Sequence, residues 1–249
     1  MSKEVMSRDA VERASVREGI GRAPNMRPKD ASTLIILDGE GAKTKVLMGR
    51  RHERHKFMPG LFVFPGGRVD SGDGSITTAD ELHDQVHTKL ITNLRGKPSG
   101  RRARGIALAA IRETYEEAGL LLGSCNNAYA PTHDDWQGFA EHGVEPTLSP
   151  LRLLARAITP PGRNRRFDAW FFLTRAEHIA VRLEELPTEE LQDLHWLTVD
   201  DALQLELPVI TVSVLKDLKK RLERDPDLAP EAPLPFYHMR YNRYVEETI

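Results

Sequence analysis

"LFVFPGG", residues 61–67, and "AIRETYEEAGLLL", residues 110–122, are the two stretches that decide the fold. The first is a strand-like apolar run that meets Pro65, Gly66 and Gly67, although glycine gives up the most backbone freedom on folding. The second crowds Glu113, Glu116 and Glu117 together, although like charges three and four residues apart on a helix repel. At about 100° per residue these glutamates fall within an arc of about 100° on one helix face. Leu108, Ile111, Tyr115 and Ala118 fall on the opposite face, a stripe that can pack on a sheet while the acidic side points away from the core. Arg112 flanks the acidic arc four residues before Glu116, where its guanidinium can hold a carboxylate by paired hydrogen bonds. Carboxylates so placed suit a hard divalent cation such as magnesium, which takes oxygen ligands and keeps several waters. Gly66 and Gly67 let backbone carbonyls and amides approach a metal or phosphate closely. Alone, E-x-x-E-E also describes a solvated acidic face and P-G-G an ordinary turn; their conjunction carries the reading.

Outward from this pair, "STLIILD", the turn "GEGAK" and "KVLMGRR" predict a β-hairpin. Leu82, Val86, Leu90 and Leu94 are spaced for a helix, with Thr78 and Glu81 as its capping box. A basic loop, "RGKPSGRRARG", leads to a helix over 106–118 that Gly119 ends. "RLLARAIT", "DAWFFLTRA" and "LHWLTV" read as strands, "DDALQL" as a short helix and "PVITVSVLKDLKKRLER" as a helix opened by proline. Strands interspersed with helices make this an α/β protein whose mixed sheet is covered by helices. Residues 1–30 read as an N-terminal arm, 31–225 as the folded domain and 226–249 as a Pro-rich C-terminal tail.

The chain has 249 residues and a formal net charge of −2, so nothing pulls it broadly toward nucleic acid. Cys125 is the single cysteine, which rules out an intramolecular disulfide and fits a reducing, cytoplasmic setting. Apolar runs such as "LIIL" and "ALAAI" are too short to span a bilayer. The composition allows a homodimer without specifying one.

"FPGG" with "RETYEEAGL" resembles the Nudix box, G-x5-E-x7-R-E-U-x-E-E-x-G-U, where U is a bulky apolar residue. Gly67 fills its opening glycine, and Arg112, Glu113, Glu116, Glu117, Gly119 and Leu120 its second half. Thr114 departs from the first U. Asp73 stands where the box has its first glutamate, and residues 74–104 form an insert without a counterpart. Long inserts here resemble the coenzyme A diphosphatase-like branch, as do "FMPGLFVFPGG", "AAIRETYEEAGLLL" and "ITPPGRNRRFDAWFF". The upstream stretch "LMGRRHERHKFMPGLFVFPGG" keeps Leu47, Arg51 and Gly60 of that branch's element and departs at Gly49, His52 and Lys56.

The resemblance implies an α/β/α sandwich and an enzyme that hydrolyses a nucleoside diphosphate linked to another group. It implies Mg²⁺ or Mn²⁺ held by Glu113, Glu116 and Glu117 with a carbonyl from Gly66 or Gly67, and Arg112 orienting the carboxylates. Gly66, Gly67, Arg51, Lys56 and Arg166 are candidate substrate contacts. Glu113, or a later glutamate such as Glu190 or its neighbour Glu189, is the candidate base. Coenzyme A or an acyl form is the first-choice substrate; ADP-ribose, NADH and dinucleotides share the same linkage. Arg101, Arg102, Arg104, Arg163, Arg165 and Arg166 could hold a further phosphate or be solvated, and Trp170 and Phe171 read as sheet packing. Two other classes stay open: a nucleotide sensor that does not hydrolyse, and a zinc site on "HDQVH", where His83 and His87 share a helix face.

Overall fold

A computed structural model describes residues 26–54, 59–241 and 243–249. Strands β1 (Lys29–Asp38) and β2 (Lys45–Arg51) form the predicted hairpin. Strands β3 (Phe62–Val63) and β4 (Gly66–Arg68) precede helices α1 (Asp84–Asn93) and α2 (Gly100–Ala118). Strands β5 (Leu120–Leu122) and β6 (Ser124–Cys125), the short helix α3 (Gln137–Glu141) and strand β7 (Val144–Glu145) follow. Next come β8 (Arg152–Ile158), β9 (Phe167–Arg175), β10 (Ile179–Arg182) and β11 (Leu191–Thr198). Helices α4 (Val199–Ala202) and α5 (Val209–Arg224) and strands β12 (Pro235–Arg240) and β13 (Arg243–Thr248) complete the order.

The main sheet runs β11-β2-β1-β9-β8-β12-β13, with β3 added to β2 and β4 to β1. It is mixed, because β1 lies parallel to β9 and β12 parallel to β8 while the other pairs are antiparallel. The two-residue alternation of a strand splits the core into two layers. Leu34 and Ile36 of β1 join Trp170, Phe172 and the buried faces of α1 and α2. Ile35 and Leu37 join Met48, Phe171 and Val214, Leu215 and Leu218 of α5. The result is the expected helix–sheet–helix sandwich, with Trp170 and Phe171 as core residues. Among the described residues no helix is long and apolar enough to cross a membrane.

Several boundaries differ from expectation, each for a tertiary reason. Helix α2 begins at Gly100, capped by Ser99, whose hydroxyl accepts the Arg102 N–H at 3.2 Å. Its first turns read as a basic loop because of Gly105, yet that glycine lets the helix pass the backbone of Gly74; an added Cβ would stand 3.2 Å from the Gly74 nitrogen. Helix α1 starts at Asp84 with His83 as its cap. The expected capping pair is taken by Arg104, which donates to Thr78 Oγ1 and Glu81 Oε2, both at 2.8 Å. Leu82, Val86, Leu90 and Leu94 are nonetheless buried, as their spacing predicts. Gly66 and Gly67 lie within β4, opposite Thr33 and Ser32, and not in a simple turn.

The expected C-terminal tail contributes β12 and β13 to the sheet and buries Leu228 and Leu234. Phe236 lies 4.5 Å from the guanidinium of Arg156, which is also 4.6 Å from Trp170 and paired with Asp168 at 2.7 Å. Such a desolvated cation–aromatic contact contributes ~2 kcal/mol. Of the expected N-terminal arm, residues 1–25 lie outside the described residues, and Lys29 and Asp30 open β1.

Candidate active site

Helix α2 carries the acidic residues, and its last turns are pinned from below by Arg112. This guanidinium is 3 % exposed and is gripped on every side. It donates to Asp73 Oδ1 at 2.9 Å and to the Arg68 carbonyl at 2.9 Å, while Nη1 lies 2.9 Å from Glu113 and 3.1 Å from Glu116. Burial opposes its charge most strongly, but Asp73, Glu113 and Glu116 together outweigh that and hold the cation firmly protonated. Asp73 is itself buried and accepts the Asp70 N–H at 2.8 Å. The aspartate at the box's first glutamate position is therefore the counter-ion of Arg112, a role the sequence left unassigned.

The acidic arc does not face open solvent. Glu117 is buried, and its Oε2 accepts the Gly66 N–H at 2.8 Å. Burial is the chief reason its carboxyl is pushed up to about 8, against the pull of Arg51 and the Gly66 amide. Glu113 is pushed up to about 7, first by burial and then by Glu116, with Arg112 opposing. Glu116 is also raised by burial, with Asp135 and Asp73 adding to the shift. Glu113 and Glu116 thus share the Arg112 guanidinium, and Glu117 is answered by Arg51 and the Gly66 amide, in a partly desolvated space where unbalanced negative charge is expensive.

Gly67 sits directly against this charge. A Cβ there would stand 2.4 Å from the Glu113 carboxyl carbon, whereas one at Gly66 would stand 2.5 Å from the Ser32 carbonyl oxygen and 2.7 Å from the Thr33 Cα. The diglycine strand and the acidic helix are consequently in contact, as their conjunction in the sequence suggested.

Among the described residues no three histidine, cysteine, aspartate or glutamate side chains are gathered closely enough to hold a metal ion. His83 caps α1 through Nδ1, 3.3 Å from the Gln85 nitrogen. Glu113, Glu116 and Glu117 do not form such a group in this geometry. Their oxygens are divided between Arg112 and the Gly66 amide. The donor set nevertheless fits a hard divalent cation: all oxygen, anionic in excess of its guanidinium, and beside a glycine that leaves the approach open.

The other candidates are placed unevenly. Glu190 is exposed and its charge is felt by both Glu113 and Glu117. Its loop is clipped to the end of α2, since Thr188 Oγ1 donates to the Glu116 carbonyl at 2.9 Å and the Leu183 N–H to the Gly119 carbonyl at 2.8 Å. Glu189 is exposed beside it. Arg51, opposite Leu191 in the sheet, lends its charge to Glu117. Arg166 is not brought to the carboxylates. Its guanidinium donates to the carbonyls of Thr159 and Met26. Its neighbour Phe167 pairs with Lys29, four positions before the partner of Gly66, or about 13 Å along the strand. Arg102 and Arg104 are engaged with Asp30 and Glu81. Lys56 lies outside the described residues.

A lobe between β6 and β7 was not legible in the sequence. Trp136 and Phe139 bury its base, Phe139 meets Tyr115 of α2 edge-on at 5.3 Å, and Asp135 acts on Glu116. The ring of His133 leaves no room for a Cβ on Gly72, next to Asp73.

No protein-family profile matches the chain. Over 164 residues it is 27% identical to a Caenorhabditis elegans protein provisionally named nudix hydrolase 7, a match covering 61% of this chain and 46% of that protein. The chain therefore spans about half the length of this curated relative. The crystal structure of a NUDIX hydrolase from Alicyclobacillus acidocaldarius superposes with a TM-score of 0.57 at 26% identity, covering 77% of this chain and 90% of that one. Both likenesses are to Nudix hydrolases, so box residues, fold and comparisons together support a place in the Nudix hydrolase superfamily.

Proposed function

We propose that the protein hydrolyses a diphosphate linkage within a nucleotide derivative, using Mg²⁺ or Mn²⁺. The observation that carries this reading is the contact of Glu113 and Glu117 with the Gly66–Gly67 strand, above an Arg112 that is held by Asp73. Glu113, Glu116 and Glu117 would hold the cation, with the Gly67 carbonyl as a further oxygen donor. When bound, such a cation neutralises phosphate charge and acidifies a coordinated water. Arg112 keeps the helix carboxylates aimed, a supporting role that commonly affects metal sites by about 10–100-fold. Glu190, on the clipped loop and with a charge that acts on Glu113 and Glu117, is our candidate to take a proton from the attacking water.

For the substrate we favour coenzyme A or an acyl form, cleaved to 3′,5′-ADP and a phosphopantetheine product. Support comes from the insert at 74–104 and from the upstream stretch retaining Leu47, Arg51 and Gly60. Within that stretch, the charge of Arg51 acts on Glu117. The test is turnover of a panel containing coenzyme A, acetyl-coenzyme A, ADP-ribose, NADH and diadenosine polyphosphates, with products identified by mass. Coenzyme A is expected to be cleaved fastest. Preference for another diphosphate would overturn the substrate, and binding without cleavage of any would leave a sensor.

The two glycines separate folding from chemistry. Gly67→Ala meets only the far end of the Glu113 side chain and no backbone, so its melting temperature should stay near wild type while turnover falls about 100-fold. Gly66→Ala meets backbone, so its melting temperature should fall. Thermal denaturation and steady-state kinetics on both variants check this; equal melting temperatures would contradict it.

A further inference from the structure

We propose that Thr188 is a positioning residue for the hydrolysis: its hydroxyl bolts the segment that carries Glu190 to the last turn of α2, and so fixes that glutamate relative to Glu113, Glu116 and Glu117. The inference rests on the reading of Glu190 as the base. Residues 183–190 join β10 to β11, and from 184 to 190 every residue is exposed except Thr188, which is half-buried. Its hydroxyl donates to the Glu116 carbonyl at 2.9 Å and accepts the Glu190 N–H at 3.5 Å. One side chain thus uses its donor and an acceptor site to join the backbone of a proposed cation ligand to that of the proposed base. The turn it makes with Glu190 is a local one that hydroxyls favour. The Glu116 carbonyl is among those that a helix end leaves without an intrahelical partner.

The tie works against charge. Glu184, Glu185, Glu189 and Glu190 make the segment acidic. It is fastened to a helix end that carries Glu113, Glu116 and Glu117 and the negative pole of the helix dipole. Like charges so placed push the segment away from the helix. Two further bonds hold its ends: the Leu183 N–H donates to the Gly119 carbonyl at 2.8 Å, and the His52 N–H donates to the Glu190 carbonyl at 3.1 Å. Leu183 and Leu186 also crowd Gly119, where a Cβ would stand 3.2 Å from each. Both of those bonds are made by backbone. Of the three ties, Thr188 is the one that a side chain supplies and that a substitution can cut.

The experiment is steady-state kinetics with Mg²⁺ on the diphosphate that the wild type cleaves fastest. It compares Thr188→Val, Thr188→Ser, Glu190→Gln and the double variant of Thr188→Val with Glu190→Gln. Thr188→Val keeps the shape and loses both hydrogen bonds, so kcat should fall about tenfold or more while KM and Mn²⁺ uptake stay within about twofold of wild type. Thr188→Ser keeps the hydroxyl and should hold kcat within about threefold of wild type. Both single variants at Thr188 should melt within about 5 °C of wild type, which shows that they fold. In the Glu190→Gln background, adding Thr188→Val should cost less than about twofold more, because the group it positions is gone. Wild-type kcat in Thr188→Val, a Thr188→Ser variant as slow as Thr188→Val, or a full further loss in the double variant would overturn the inference and leave hydrolysis itself in place. Wild-type kcat in Glu190→Gln would overturn it together with the base assignment. A wild type that cleaves no diphosphate would take the hydrolase reading with it.

Discussion

Glu117→Gln is expected to lower cation-dependent hydrolysis by about 10²–10³-fold while making the cation-free protein more stable. Both effects follow from one fact: Glu117 is 1 % exposed and shares its surroundings with Glu113 and one guanidinium. Glutamine keeps the oxygen that accepts the Gly66 N–H but removes the buried charge. The sign of the pH dependence follows from the direction of the shift. Because burial raises the folded-state carboxyl from 4.5 to about 8, the stability of the protonated form is complete below the unfolded value and is lost as the pH rises toward about 8. The neutral variant escapes that loss, so its advantage in melting temperature should widen across this window and then level off. Thermal melts with chelator present, at a series of pH values, check the prediction; a variant less stable than wild type near pH 8 would contradict the charge assignment.

The second large effect is expected at Arg112. Arg112→Ala strips Asp73, Glu113 and Glu116 of their common cation and leaves a buried carboxylate at Asp73 unpaired. Breaking a buried pair from one side costs about 3–5 kcal/mol, equivalent to roughly 10 °C for a domain of this size. Arg112→Lys should recover little of it. A single ammonium cannot reproduce the fork that holds the Asp73 carboxylate and the Arg68 carbonyl together. Adding Asp73→Asn to Arg112→Ala should regain part of the loss by removing the stranded charge. Denaturant titration of the three variants and wild type measures this. Additive losses in the double variant would contradict a direct pair.

What could be read in advance, and what could not, has a physical basis. The hairpin β1–β2 and the close of α2 at Gly119 were legible because local chemistry decides them: a short turn between two apolar strands, and a residue able to adopt φ 64°, ψ 26°. The pairing of Gly67 with Glu113 was legible in kind, since two locally unfavourable choices suggested a shared purpose. Long-range partners were not. Thr78 and Glu81 have the spacing of a helix cap, but Arg104 competes for both from another helix. Asp73 looked like a weakened box position until the fold set it against Arg112, separated by the insert in sequence and adjacent in space. Strand β12 was hidden by the prolines around it, although Pro235 occupies a first strand position where no ladder donor is needed. The carboxylate arc was placed correctly on one side of α2, yet periodicity alone could not reveal that β4 covers that side.

The central claim is that Glu113, Glu116 and Glu117 bind the divalent cation that hydrolysis needs. Titration of Mn²⁺ into metal-free protein, followed by electron paramagnetic resonance, tests it most directly because uptake is read without any substrate. Wild type should take up Mn²⁺ and release it to excess Mg²⁺, and Glu116→Gln and Glu117→Gln should each weaken uptake at least about tenfold while remaining folded. Uptake unchanged in both variants, or absent from folded wild type, would contradict the claim.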